Sequence, residues 1–124
     1  MNLSHPTVVV VDDSPSVKSL FERSTAALGI ELKTFSSAAG SLAYLQDHCP
    51  DLLFLNIIMP DKDGLTFLRE LRENPLHEQT PVIMISSKDY AQDRFAAREL
   101  GAVEFMPKPM PMQAIADAIK RYIK

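Results

Sequence analysis

The chain has a single cysteine, Cys49, so no internal disulfide can form and the fold must hold by packing. A lone thiol fits a reducing compartment, and Cys49, just before Pro50, reads as a half-buried structural residue. Basic residues are not in excess. Thirteen Lys and Arg against sixteen Asp and Glu give a formal charge of −3, which argues against direct binding of nucleic acid by this segment. No apolar stretch approaches the roughly 20 residues that cross a bilayer. The opening Met1-Asn2-Leu3-Ser4-His5-Pro6 lacks the charged and apolar regions of a secretory signal. These absences point to a cytoplasmic protein with no membrane role. Repeats, low-complexity tracts and linkers are also missing, so residues 1–124 read as one domain, with 1–6 as an N-terminal tail.

What the chain does have is four apolar runs that each stop on a polar group. Val8-Val9-Val10-Val11 ends at Asp12-Asp13, and Leu52-Leu53-Phe54-Leu55 ends at Asn56. Val82-Ile83-Met84-Ile85 ends at Ser86, and Val103-Glu104-Phe105-Met106-Pro107 ends at Lys108. Runs with so little alternation read as strands buried on both faces, the habit of parallel sheets. The carboxyl ends of parallel strands share one edge, where ligands bind. Asp12, Asp13, Asn56, Ser86 and Lys108 should therefore converge, giving a site suited to a metal ion and a phosphoryl group.

Helix signals alternate with these strands. Ser14-Pro15 is a helix start, because Ser caps well and Pro at the first helical position loses no hydrogen bond. Val17, Leu20, Phe21, Ser24 and Leu28 follow at helical spacing up to Gly29. Ile30 to Phe35 alternates as a half-exposed edge strand does. Ser36-Ser37 caps a short helix carrying Leu42 and Leu45 and closed by Pro50. Leu65, Leu68 and Leu71 mark a third helix, Asp89 to Leu100 a fourth, and Ile115, Ile119 and Tyr122 the inward stripe of a last one. The order is (βα)5, an α/β doubly wound five-stranded parallel sheet with helices on both faces.

The motifs Val10-Val11-Asp12-Asp13-Ser14, Met59-Pro60-Asp61-Lys62-Asp63-Gly64, Ile85-Ser86-Ser87 and Lys108-Pro109 occur in this order on these elements. From about Thr7 to the C-terminus the chain thereby resembles the receiver domain of bacterial two-component response regulators. These have the chemotaxis-protein-like, flavodoxin-like fold with strand order 2-1-3-4-5. The resemblance implies a signalling module rather than a metabolic enzyme. Its partners would be a histidine kinase or phosphotransfer protein upstream and a downstream protein or effector domain on the α4–β5–α5 face. It implies Mg²⁺ held by Asp12 and Asp13, helped by the Asn56 side-chain oxygen and the Ile58 backbone carbonyl. Lys108 would pair with a phosphoryl oxygen across a cis Lys108-Pro109 bond, and Ser86 would move to bond the phosphate. Phe105 takes the aromatic switch position, where burial alone would mark its inward state because it lacks a Tyr hydroxyl.

At the phosphoacceptor position the family has an aspartate and this chain has Asn56. In-line attack on phosphorus needs an anionic oxygen, and a carboxamide oxygen is far less nucleophilic. Asn56 should not form an acyl phosphate. The favoured reading is a phosphorylation-controlled receiver whose acceptor has been substituted, locking the inactive state. The alternative is a natural pseudo-receiver acting as a phosphorylation-independent interaction module. A flavin carrier is disfavoured because no Ser/Thr/Gly-rich phosphate loop follows the first strand. The sequence leaves open whether the chain is a stand-alone receiver or a module of a longer regulator.

The remaining candidates have plainer readings. Asp61, Asp63 and Gly64 read as loop and helix-start residues. His5, His48 and His77 lack metal-ligand spacing and read as surface residues. Met106, Met110 and Met112 divide between gap-filling core and the partner face. Tyr90, Arg94 and Arg98 share a helical stripe that reads as solvated.

Asn56 also has an electrostatic consequence. Two carboxylates about 4 Å apart repel by roughly 4 kcal/mol at an effective dielectric near 20. The chain is therefore expected to be more stable without metal, and to bind Mg²⁺ more weakly, than its Asn56→Asp variant. Calorimetry giving equal melting temperatures and equal Mg²⁺ shifts for the two would refute this.

Overall fold

Two hydrophobic layers on opposite faces of one sheet account for the architecture. In this computed structural model, which describes residues 5–123, the strands are β1 (Thr7–Val11), β2 (Glu31–Phe35), β3 (Leu52–Asn56), β4 (Val82–Ser86) and β5 (Glu104–Pro107). All pairs are parallel and the order is β2-β1-β3-β4-β5. The helices are α1 (Pro15–Thr25), α2 (Ala38–Leu45), α3 (Gly64–Arg72), α4 (Ala91–Glu99) and α5 (Met112–Tyr122), with a 3₁₀ turn at Pro75–His77. Successive strand residues point to opposite faces. Val9, Val11, Leu53, Leu55, Val82 and Met84 meet α2, α3 and α4. Val8, Val10, Leu52, Phe54, Ile83 and Ile85 meet α1 and α5. On that second face Phe21 packs edge-on against Phe54 with ring centroids 4.7 Å apart.

The central strands β1, β3 and β4 are buried almost throughout, as expected of their unbroken apolar runs. The fourth run behaves differently. β5 lies at the sheet edge and begins at Glu104; Val103 falls outside it and is exposed, because an edge strand has a neighbour on one side only. Residues 1–4 of the expected tail lie outside the described residues. Pro6 already joins the sheet, its carbonyl accepting from Glu31 N at 2.8 Å.

Local signals fix most helix starts. Ser14 Oγ accepts from Val17 N, Ser37 Oγ from Gly40 N, and Asp63 Oδ1 from Leu65 N. Helix α1 ends at Thr25, before the expected stop at Gly29; Ser24 and Thr25 hydroxyls donate back to the Leu20 and Phe21 carbonyls there. On α2 the buried positions are Ala38, Ser41 and Leu45, and Leu42 is exposed, so the inward stripe is offset from the one expected. Met106 and Met110 are core, whereas Met112 is exposed.

Two other expectations are corrected. His77 is 1% exposed, not a surface residue. Its Nε2 donates to the Leu45 carbonyl, which can only accept, and its Nδ1 lies 2.9 Å from the Thr80 hydroxyl. Cys49 is exposed rather than half-buried, though its Sγ lies 3.3 Å from Thr80 Oγ1.

Nearby, Arg72 fastens the amino-terminal edge of the sheet. Its guanidinium donates to the carbonyls of Leu100, His77 and Thr80 at 2.7–2.8 Å and of Gly101 at 3.3 Å. This ties the end of α4 to the entry of β4. A lysine ammonium cannot span carbonyls on both sides as a planar fork does. Arg72→Lys is expected to cost about 1–3 kcal/mol, read as a lower urea midpoint with an unchanged slope. An unchanged midpoint would show that the fork is dispensable.

Candidate functional site

The register of the sheet places the polar strand ends side by side. Val11 pairs with Leu55, Asn56 with Ile85, and Ser86 with Pro107, so the residues that follow β1 and β5 and those that end β3 and β4 form one row. Asp12, Asn56 and Ser86 are buried within it, Lys108 is half-buried, and Asp13 and Ile58 are exposed beside them. Asp12 and Asp13 line the same cavity, with Ser14, Lys18, Thr34 and Ser36 around it.

Asp12 and Lys108 form an ion pair of 2.7 Å, with side chains 1% and 18% exposed. Asp12 Oδ1 accepts from Ser14 N at 2.9 Å, which links the acid to the start of α1. Asp12 Oδ2 is buried and has no aligned hydrogen-bond donor, the ammonium included, so charge alone holds it. Lys108 is positioned through its backbone, whose N–H donates to the Ser86 carbonyl at 2.8 Å, and the Lys108-Pro109 bond is cis. The Ser86 hydroxyl accepts from Lys88 N at 3.0 Å, which makes it part of the turn after β4.

Asn56 points its amide nitrogen at the Ile58 carbonyl, 2.6 Å away. The backbone around it is close-packed. Gly64 N donates to Ile57 O at 2.7 Å, and a Cβ on Gly64 would stand 2.1 Å from the Asn56 carbonyl oxygen. Gly64 is a glycine because the start of α3 lies against β3 with no room for a side chain.

Beyond it, Asp61 reaches across to α2 and accepts from Ala39 N at 3.0 Å and Ala38 N at 3.3 Å. The Ala39 N–H chiefly holds its carboxyl below the usual range. With its pKa lowered by folding, this clasp stabilises above the unfolded carboxyl pKa and is lost as the pH falls through the folded one. The second role of Asp61, as a cap for a helix 22 residues earlier, was not read from the sequence, which places it only in a loop.

A buried carboxylate oxygen without a donor suits a hard cation, and Asp12 with Asp13 supplies the acidic oxygens Mg²⁺ prefers. Asn56 and Ile58 fit less well. The amide N–H bonds the carbonyl that would otherwise be free for the ion, and an amide oxygen carries no full charge. Among the described residues no group of three or more His, Cys, Asp or Glu is placed to hold a metal. The residues thus fit a cation through two acids, with the other two oxygens available only if the amide turns.

Comparison with known proteins gives the family. The family model described as the response regulator receiver domain matches residues 8–120. The chain belongs to the response regulator receiver domain family. Protein PilG of Pseudomonas aeruginosa is 31% identical over 116 residues, covering 94% of this chain and 86% of PilG. Several other relatives are longer proteins, of which this receiver spans only 23–49%. The chemotaxis protein CheY4 of Vibrio cholerae superposes with a TM-score of 0.88 at 22% identity, over 97% of this chain and 100% of CheY4. The receiver domain of the sensor histidine kinase PA1611 from Pseudomonas aeruginosa has a TM-score of 0.85 at 18% identity, covering 97% of this chain and 98% of its own. That structure contains a magnesium ion in its active-site cleft.

Lys108 and a divalent cation would both neutralise Asp12. Lys108→Ala is expected to destabilise the protein by about 2–3 kcal/mol, less than for a fully buried pair because Lys108 is partly exposed. In compensation, Mg²⁺ should raise its melting temperature more than it raises that of the parent. Equal Mg²⁺ shifts in a fluorescence melt would show that ammonium and metal do not compete.

Proposed function

We propose that this receiver is held in its unphosphorylated state by Asn56 and signals through the shape of its α4–β5–α5 surface. Receiver domains are modules of two-component signalling, and the row of strand-end residues gives this one the parts for phosphoryl control except the acceptor. A carboxylate at position 56 would attack phosphorus in line and break its bond to the donor, whose leaving group departs opposite, while Lys108 and Ser86 engage the phosphoryl oxygens. Mg²⁺, held by Asp12 and Asp13, would offset charge on that group. Asn56 removes the nucleophile.

The observation that carries the reading is the bond from Asn56 Nδ2 to Ile58 O. Two oxygens there would both need a cation between them, and the amide supplies the positive hydrogen itself. Together with the Asp12–Lys108 pair, it gives both the amide and the buried acid a partner from the chain itself, though Asp12 Oδ2 still lacks an aligned donor. Upstream, the partner would be a histidine kinase or a phosphotransfer protein. Downstream, a protein or effector domain would bind the α4–β5–α5 face. The same internal pairing favours a second reading, a pseudo-receiver that binds its partner without phosphoryl transfer.

The two part on one experiment. Asn56→Asp, incubated with Mg²⁺ and a small-molecule phosphodonor, is expected to become labelled and to change the environment of Phe105. A folded variant that takes up no label would rule out the controlled receiver and leave the pseudo-receiver.

A further inference from the structure

The sheet ends on one side at β2, and β2 carries charges arranged to match themselves. In the order β2-β1-β3-β4-β5 only β1 pairs with it, and its residues are exposed or half-buried where the central strands are buried. Glu31 N donates to the Pro6 carbonyl and Asp12 N to the Phe35 carbonyl, so Glu31, Lys33 and Phe35 turn their backbone groups toward β1. Alternation along the strand turns the N–H and C=O of Leu32 and Thr34 to the open side, as a template for another strand. Side chains alternate as well. Phe35 packs on the α2–α3–α4 layer and Leu32 on the α1–α5 layer, which sets Glu31 and Lys33 together on the first face. There Lys33 Nζ lies 3.4 Å from Glu31 Oε2 and 5.5 Å from the Tyr44 ring centroid, and the Lys33 and Glu31 side chains are 38% and 55% exposed.

We propose that β2 pairs antiparallel with β2 of a second copy of this chain, about a two-fold axis at Leu32, to give one continuous sheet across a homodimer. The backbone admits only registers in which an outward residue faces an outward residue. Centred on Leu32, the strands exchange backbone bonds at Leu32 itself, and Thr34 N–H reaches the Ile30 carbonyl of the second copy. That carbonyl faces outward because the N–H of the same peptide, on Glu31, is turned to β1. Glu31 then stands opposite Lys33 of the second copy at a non-hydrogen-bonded position, where facing side chains are closest. Symmetry makes the contact twice. Moving the axis to Glu31 or to Lys33 keeps the backbone bonds but sets glutamate against glutamate or lysine against lysine. A lysine on an edge strand ordinarily discourages pairing. Glu31, two residues before it, turns the same charge into a selector of one register. Gly29, at φ 67°, bends the chain away just before Ile30 and confines the pairing to a short segment. The two-fold arrangement uses both β2 edges, so it closes as a dimer. β2 lies at the opposite sheet edge from β5, which makes this surface separate from the α4–β5–α5 face and independent of Asn56.

Sedimentation velocity of the full chain over a range of concentrations is expected to show a monomer–dimer equilibrium. Lys33→Glu and Glu31→Lys, each alone, should weaken it roughly tenfold, since attraction becomes repulsion at two symmetric places. The double variant, Glu31→Lys with Lys33→Glu, exchanges the charges and should restore it. Melting curves confirm folding of these surface variants. Amide hydrogen exchange followed by NMR needs no variant. Leu32 and Thr34 should gain protection as the concentration of the unaltered chain rises, while Lys33, whose N–H already faces β1, should not. A chain that stays monomeric at every concentration would overturn the proposal. So would a dimer that leaves Leu32 and Thr34 unprotected, because its interface lies elsewhere. A double variant as weak as the single ones would overturn it too, because the charges then do not set the register.

Discussion

A carboxylate oxygen buried at a strand end is the constraint around which the polar rim is arranged. Asp12 Oδ2 has lost water and gained no hydrogen bond, a state costing several kcal/mol unless a cation lies close by. Lys108 is that cation, at 2.7 Å. Its delivery needs β5 to follow β4 in register, because the backbone that carries it is hung from the Ser86 carbonyl. Ser14 must open α1 immediately beyond Asp12 to satisfy the other oxygen. The ends of β1, β4 and β5 and the start of α1 are thus joined through one acid.

Asn56 fits this frame by lowering the demand for positive charge. The rim holds one buried acid, one exposed acid and one ammonium, and the amide adds a hydrogen directed at the Ile58 carbonyl. A third carboxylate in its place would leave the ammonium shared among three anions. Close packing of the backbone limits how far the β3–α3 loop can adjust. Gly64 leaves no gap behind the Asn56 backbone, and Asp61, three residues before it, clasps α2. Movement of the β3–α3 loop is consequently movement against α2 and α3 as well.

Most of the fold was legible in the sequence because it rests on local or periodic signals. Val8–Val11, Leu52–Leu55 and Val82–Ile85 announce buried parallel strands by their lack of alternation, and Ser14, Ser37 and Asp63 announce helix starts by chemistry within three residues. Parallel topology puts Asp12, Asn56, Ser86 and Lys108 on one sheet edge, and the order β1-β3-β4-β5 that makes them neighbours came from the family resemblance. What escaped depends on partners distant in sequence. His77 is buried because a carbonyl 32 residues earlier accepts from it, and nothing beside His77 signals this. Val103 continues an apolar run but falls before an edge strand. The amide of Asn56 could be read as a missing nucleophile, whereas its turn toward Ile58 is a matter of geometry.

Arg94 shows the same division more sharply. By spacing it belongs to an exposed helical stripe with Tyr90 and Arg98, and part of it is indeed solvent-facing. Its place is set by two contacts made at once, a carboxylate in the preceding turn and an aromatic face on the neighbouring strand. Each alone is a weak contact, because water screens it at an exposed site. Sharing one guanidinium makes them mutually dependent, since a position of Arg94 that loses Asp89 also loses its alignment over Phe105. Weak interactions of that kind are easily exchanged, because the loss of either contact loosens the other. The pair of Asp12 and Lys108, by contrast, is largely buried, so only a competing charge offsets the cost of parting it.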